Sequence, residues 1–177
     1  MNFTILDRET TYKSRAFNIQ KVRVQLPNDK IRNYDLVDHN DSVIIVPVDQ
    51  DGDIWFVSQY RLGAESQLLE LPAGVLDDGE DPIEGAAREL REEIGMSASN
   101  LKLLGSFYLA AGYSNENMFA FLATGLQADA LEPDADEFLE IKKIPISEVY
   151  RMAHSAEFND SKTLAALLMT HPFLPSE

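Results

Sequence analysis

The sequence predicts an α+β fold built on a central sheet. Three observations lead there. Short β-branched and aromatic runs recur along the chain between turn residues, one helix near the middle is marked at both ends, and two more helical segments follow it.

In chain order, the first forty residues are more polar, yet Lys21-Val22-Arg23-Val24-Gln25-Leu26 alternates polar and apolar side chains as a half-buried strand does. Pro27-Asn28-Asp29-Lys30 is a turn signal, and residues 31–37 can return as the second strand of an antiparallel hairpin. Residues 1–40 are therefore expected to form an N-terminal β extension, with the main domain over 41–177. Val43-Ile44-Ile45-Val46-Pro47-Val48 and Ile54-Trp55-Phe56-Val57 read as buried strands joined by Asp49-Gln50-Asp51-Gly52-Asp53. Further strands are expected over 101–108, 118–123 and 138–146. Helices are expected over 147–153, with Ser147 as N-cap, and over 161–169, with Leu164, Leu167 and Leu168 on one face. No repeat, low-complexity tract or long Gly/Ser/Pro linker divides the chain.

Composition excludes several classes. At 177 residues, 45% hydrophobic and 25% charged, the chain is globular in make-up. No run approaches a membrane span, and residues 1–8 lack a basic leader with a small-residue cleavage site, so a soluble cytoplasmic protein is expected. Without cysteine there are neither disulfides nor thiolate metal sites. A formal charge of −15 opposes binding to nucleic-acid backbones and anionic lipid. An anionic small substrate stays open if divalent cations invert the field locally, which requires acidic side chains clustered where hard cations can use them.

Such a cluster lies between Asp81 and Gly95. Asp81-Pro82-Ile83-Glu84 supplies an N-cap, a proline at the first helical position and the acidic third position of a capping box, and Gly95 supplies the stop. Ile83, Ala87, Leu90 and Ile94 fall at helical spacing as the expected buried stripe, and Glu89, Glu92 and Glu93 project from another sector. An acidic helix face is ordinarily just solvated. Here it conflicts with stability, because anions in the last turn face the negative helix end at about 0.3–1 kcal/mol each. A bound divalent cation would turn that conflict into coordination, since Mg²⁺ takes carboxylate, water and phosphate oxygens.

Around this helix the chain runs Gly74, five residues, Glu80, seven residues, then Arg88-Glu89-Leu90-Arg91-Glu92-Glu93-Ile94-Gly95-Met96. The pattern resembles the Nudix box with every defining position filled, and a chance match is on the order of 10⁻⁶. Gln59-Tyr60-Arg61, Glu70-Leu71-Pro72-Ala73-Gly74, Gly112-Tyr113-Ser114 and Asp136-Glu137-Phe138 extend the resemblance toward the ADP-ribose and nucleotide-sugar pyrophosphatases of that family.

The resemblance implies a Nudix α/β/α sandwich with a central mixed sheet, and Mg²⁺-dependent hydrolysis of ADP-ribose or a related nucleoside diphosphate sugar, with Mn²⁺ as a possible substitute. Glu89 and Glu93 are implied metal ligands, Glu92 joins them directly or through water, and the carbonyl of Ala73 completes the site; Glu92 and Glu93 are also implied in catalysis. Glu80 and Arg88 are implied supports, while Glu84 and Arg91 occupy variable positions. Glu137 is the implied general base, with Glu140 and Glu116 as rivals. Arg61 and Val75 are implied to meet the substrate. The family is commonly dimeric through an N-terminal sheet, which would bring Phe17, Tyr34 and His39 to the base of a nucleotide held by the partner. Where ADP-ribose pyrophosphatases commonly carry proline, this chain has Ala111, which loosens the loop shaping the sugar-side pocket and keeps GDP-mannose and other nucleotide sugars open. Hydrolysis of a triphosphate or dinucleoside polyphosphate, or nucleotide sensing without cleavage, are the other readings.

Overall fold

The computed structural model describes residues 1–132 and 138–174. Their contacts divide into two units, Met1–Asp41 with Tyr108–Asn117, and Ser42–Phe107 with Met118–Glu177.

In the first unit, β1 (Thr4–Lys13), β2 (Asn18–Gln25) and β3 (Ile31–Asp38) form an antiparallel sheet in that order. The β2–β3 hairpin closes where the sequence marked it. Leu26 N–H donates to Lys30 O and Asp29 N–H to Leu26 O, with Asp29 at φ 62°, a conformation that Asp tolerates better than most residues. Strand β1 was not expected. Two irregularities in its register and exposure along its whole length leave no period-2 burial pattern to read. The 110–114 turn is tied to β3, with Val37 donating to Tyr113 O and accepting from Asn115 N–H.

The second unit is built on a mixed sheet. β4 (Ser42–Val48) runs parallel to β9 (Asn117–Ala128), and the path reads β10 (Glu140–Pro145), β5 (Asp53–Arg61), β4, β9, β8 (Met96–Tyr108). β4 is buried from Ser42 to Pro47, as expected of a strand covered on both faces. After the Asp49 turn, where that carboxylate accepts from Asp51 N–H, Asp53 N–H and Trp55 Nε1, β4 and β5 share only the Val48–Ile54 pair. They then separate and take different partners, β6 (Ser66–Glu70) on β5 and β7 (Ala73–Val75) on β4.

Alternation on β4 assigns the layers. Val43 and Ile45 pack with Val57, Phe121 and Ala123 against Ala86, Leu90 and Ile94, the apolar side chains of α1 (Pro82–Glu93) and its C-cap. The opposite face belongs to α2 (Ile146–His154) and α3 (Ser161–Thr170), where Phe56 stacks on Phe158 at 5.4 Å and Val149, Ala166 and Leu167 are buried. The result is the α/β/α sandwich with a central mixed sheet.

Local expectations were corrected in three places. Strand β10 is shorter than 138–146, and α2 begins at Ile146 behind Pro145, with no side-chain cap from Ser147. Helix α3 turns Thr163, Ala166, Leu167 and Thr170 inward and leaves Leu168 75% exposed, because its Asp160 cap and its seat on the sheet set the azimuth. On α1 the buried face is Ala86, Glu89, Leu90 and Glu93, whereas Ile83 is 45% exposed on the first turn. No helix among the described residues is long and apolar enough to cross a membrane.

Candidate active site

Two buried glutamates meet a strand backbone at the edge of α1. β7 is fixed first: Ala73, Gly74 and Val75 pair with Ile44, Val43 and Ser42 of β4, and Pro72 O accepts from Ile45 N–H at 2.9 Å. Helix α1 is fixed next, because Ala86, Leu90 and Ile94 enter the core on that sheet. Glu89 and Glu93, one turn apart and only 7% and 5% exposed, are thereby set against β7. Ala73 N–H donates to Glu93 Oε2 at 2.9 Å. A Cβ at position 74 would overlap the carboxylate of Glu89, so glycine there lets that carboxylate lie on the backbone. Asp81 caps the helix by accepting from Ile83 N–H, and Gly95 leaves it at φ 68°.

Arg88 ties this face together. Its Nε and Nη2 donate to the two oxygens of Glu80, each at 2.9 Å, and its Nη1 donates to Glu89 Oε1 at 2.7 Å and Glu92 Oε2 at 2.9 Å. Nη2 also reaches Val75 O at 3.2 Å. The bond to Glu80 is the main reason the guanidinium holds its proton above its ordinary range; it outweighs burial, and Glu89 and Glu92 add to it. Arg88 in turn holds Glu80 below the usual carboxylate range. Glu80 Oε2 accepts from Asp77 N–H as well, and a Cβ on Gly85 would run into Leu76, so the 76–80 loop is seated on the helix. Glu89 and Glu93 are buried, and Glu92 is half-buried and paired with Arg88, so this acidic face is not the ordinary solvated one.

Arg61, at the end of β5, directs Nε and Nη2 to Glu70 at 2.9 and 2.7 Å. Glu70 is 1% exposed and also receives Lys162 Nζ from α3. Burial alone would push this carboxyl up; Arg61 and Lys162 together hold it below its ordinary value. Arg61 is raised by its bond to Glu70, against burial, and the field of Glu93 contributes. Sequence reasoning singled out neither Glu70 as a charge partner nor Lys162. The available signal was a glutamate followed by two apolar residues at the end of a strand, where an acidic side chain needs a cation to be buried.

With this geometry in view, the NUDIX domain family matches residues 38–167. The chain belongs to the Nudix family. It is similar to the ADP-ribose pyrophosphatase of Mycobacterium tuberculosis, at 36% identity over 96% of this chain and 84% of the relative, and to that of Bacillus subtilis, at 33% over 90% and 88%. A crystal structure of ADP compounds hydrolase superposes with a TM-score of 0.87 at 31% identity, covering 98% of this chain and 95% of that one.

The other expected site residues of this Nudix hydrolase fall as follows. Val75 is exposed at the end of β7, and the Ala73 backbone faces Glu93 through its N–H. In the first unit, Phe17 is exposed beyond a turn closed by Ser14, whose Oγ accepts from Phe17 N–H, and Tyr34 is exposed opposite Val22. His39 lies there with Asn115 and Glu116: its N–H donates to Asn115 Oδ1 at 2.9 Å, and its Nδ1 is 2.6 Å from Asn40 O and 3.8 Å from Glu116. Ala111 sits in a turn closed by Tyr113 and Ser114 N–H on Ala110 O. Glu140 begins β10 and pairs with Lys142 at 3.5 Å. Glu137 lies outside the described residues.

Nudix hydrolases generally use divalent metal ions. Among the described residues, no three His, Asp or Glu side chains converge as a protein-made cage. The residues nonetheless fit a hard cation such as Mg²⁺, which keeps waters and takes one or two carboxylates plus substrate phosphates instead of a complete cage. Glu89 and Glu93 provide two carboxylates with little exposure beside the backbone of Ala73 and Gly74, all with hard oxygen donors and no soft ligand.

Proposed function

We propose that this Nudix hydrolase uses Mg²⁺ to cleave the pyrophosphate of ADP-ribose or a related nucleoside diphosphate sugar. A water oxygen bonds to one phosphorus as the bond to the bridging oxygen breaks, giving a nucleoside monophosphate and a sugar phosphate. The observation that carries the reading is the placement of the Glu89 and Glu93 carboxylates on the Ala73–Gly74 backbone, beside the Arg88 fork. When bound, Mg²⁺ or Mn²⁺ supplies the charge that neutralises the diphosphate and polarises a phosphoryl oxygen.

The protein's own groups divide the remaining work. Glu89 and Glu93, with the Ala73 carbonyl, hold the cation, and Glu92 shares Arg88 with Glu89 at the rim. Arg88, itself held by Glu80, orients Glu89 and Glu92, as supporting partners do for metal ligands. Arg61, oriented by Glu70 through Nε and Nη2, offers its remaining N–H groups to diphosphate or ribose oxygens, and Val75 lines the path past the cation. Phe17, Tyr34 and His39 are assigned to a nucleotide bound by a second copy of the chain in a homodimer, where an aromatic face suits adenine. Ala111 is assigned to the sugar side, and Glu137 accepts the proton of the attacking water. The names of the Mycobacterium tuberculosis and Bacillus subtilis relatives favour ADP-ribose. A cytoplasmic location accords with a chain that lacks cysteine.

The test is incubation with Mg²⁺ against ADP-ribose, other nucleotide sugars, dinucleotides and triphosphates, with products read by chromatography. ADP-ribose should yield AMP and ribose 5-phosphate, and Glu93→Gln should lower kcat about 10²–10³-fold while the chain stays folded. Consumption of triphosphates with every nucleotide sugar intact would overturn the substrate reading. Near-normal turnover by Glu93→Gln would overturn the ligand assignment.

A further inference from the structure

The start of α3 is joined to the strand end that leads into β7 by a closed ring of polar contacts. Lys162 Nζ donates to Glu70 and, at 3.0 Å, to Asp160 Oδ1. Asp160 Oδ2 accepts from Thr163 N–H at 3.0 Å and from Thr163 Oγ1 at 2.6 Å. Thr163 Oγ1 in turn accepts from Leu71 N–H at 3.0 Å, and the Glu70–Leu71 peptide closes the ring. Glu70, Leu71 and Thr163 are each at most 1% exposed. From this ring only Pro72 intervenes before Ala73, and its ring-locked φ and its carbonyl bond to Ile45 leave it little freedom. Any shift of residues 70–71 is therefore handed to Ala73, whose N–H holds Glu93, and to Gly74, on which Glu89 lies.

We propose that Lys162 is a positioning residue for hydrolysis: with Asp160 and Thr163 it locks Glu70 and Leu71, and so fixes both the Ala73–Gly74 backbone beneath the two carboxylates and the orientation of Arg61. This rests on the reading that Glu89 and Glu93 hold the cation. Helix stability does not account for the lysine. The Asp160 cap and the buried Ala166 and Leu167 already seat α3, and a buried ion pair is often no more stabilising than an apolar side chain of its size. Lys162 is half-buried, and its two acceptors belong to different elements, β6 and the α3 cap. What the ring provides is one fixed geometry three residues from Gly74, and a closed, partly buried network serves that purpose by acting as a unit.

The full-length chain carrying Lys162→Met should show amide exchange at Leu71 and Ala73 faster by about tenfold or more. Its affinity for Mn²⁺, titrated alone by electron paramagnetic resonance, should fall about 10- to 100-fold. Its kcat on the nucleotide substrate should drop more than KM rises, and Lys162→Arg should restore most of each. Should Lys162→Met fail to fold, Asp160→Asn preserves a good cap while removing the charge that holds the lysine, and should reproduce the faster exchange. A folded variant with unchanged exchange at Leu71 and Ala73 overturns the proposal. Glu93→Gln in the same Mn²⁺ titration reports on the cation reading by itself, so the two ideas fail separately.

Discussion

Gly74→Ala isolates the contact on which the site turns. The added Cβ would fall within the carboxylate of Glu89, closer than any real Cβ contact. The backbone at 74 is not in the left-handed region, so alanine brings no φ strain and the whole effect is steric. Relief comes from the flexible end of Glu89 swinging away, which breaks its 2.7 Å bond from Arg88. Overpacking costs roughly 1–3 kcal/mol, and the lower unfolded-state entropy of alanine returns about 0.4–1 kcal/mol, leaving a net loss of at most about 2.6 kcal/mol. Against a typical stability of about 5–15 kcal/mol the variant stays folded at 25 °C. Catalysis is far more sensitive, because a displacement of about 1 Å can cost about 10²-fold in rate. Urea denaturation and kcat measured on the same preparation separate the two effects. Gly63→Ala, where a Cβ meets nothing within 4 Å, is the control: it should leave kcat unchanged and raise stability by about 0.4–1 kcal/mol through the unfolded state alone. Gly74→Ala with wild-type turnover would refute the placement of Glu89, and a collapse in stability matching the loss of activity would refute the claim that the effect is local.

Arg88→Lys keeps the charge but loses the fork that serves Glu80, Glu89 and Glu92 at once, so kcat should fall about 10- to 100-fold; turnover within about twofold of wild type would show that charge alone suffices. Glu70 has a folded-state pKa below its ordinary 4.5, so its contribution to stability is fully present above that value and is lost as pH falls through the depressed one. The stability gap between wild type and Glu70→Gln, from urea denaturation between about pH 7 and about pH 3, should therefore narrow below about pH 4.5. A gap that stays constant across that range would mean the ion pairs around Glu70 contribute nothing.

The α1 segment was legible because its signals are local: a cap, a proline, a stop and a spacing all lie within fifteen residues of one another. β4 was legible because a strand buried on both faces is a continuous apolar run. β1 was not, since an exposed and irregular strand carries no burial period, and neither was the true azimuth of α1, because Ile83 and Ala87 mimic a stripe that the sheet does not use. Ala86 and Leu90 rather than Ile83 meet β4, and that choice turns Glu89 and Glu93 inward.

Sequence alone therefore determined the family, the residues of the box and the presence of two carboxylates one turn apart, since each depends on residue type and short spacing. Only the tertiary structure decided what those carboxylates lie on and what holds it in place. Glu89 meets Gly74 fifteen positions away, and Glu70 meets Lys162 ninety-two positions away, through pairings set by strand order and by the seat of α3. The Glu70–Lys162 contact leaves no period or motif in the chain, because the burial that makes it favourable exists only once the sheet has brought its two faces under cover.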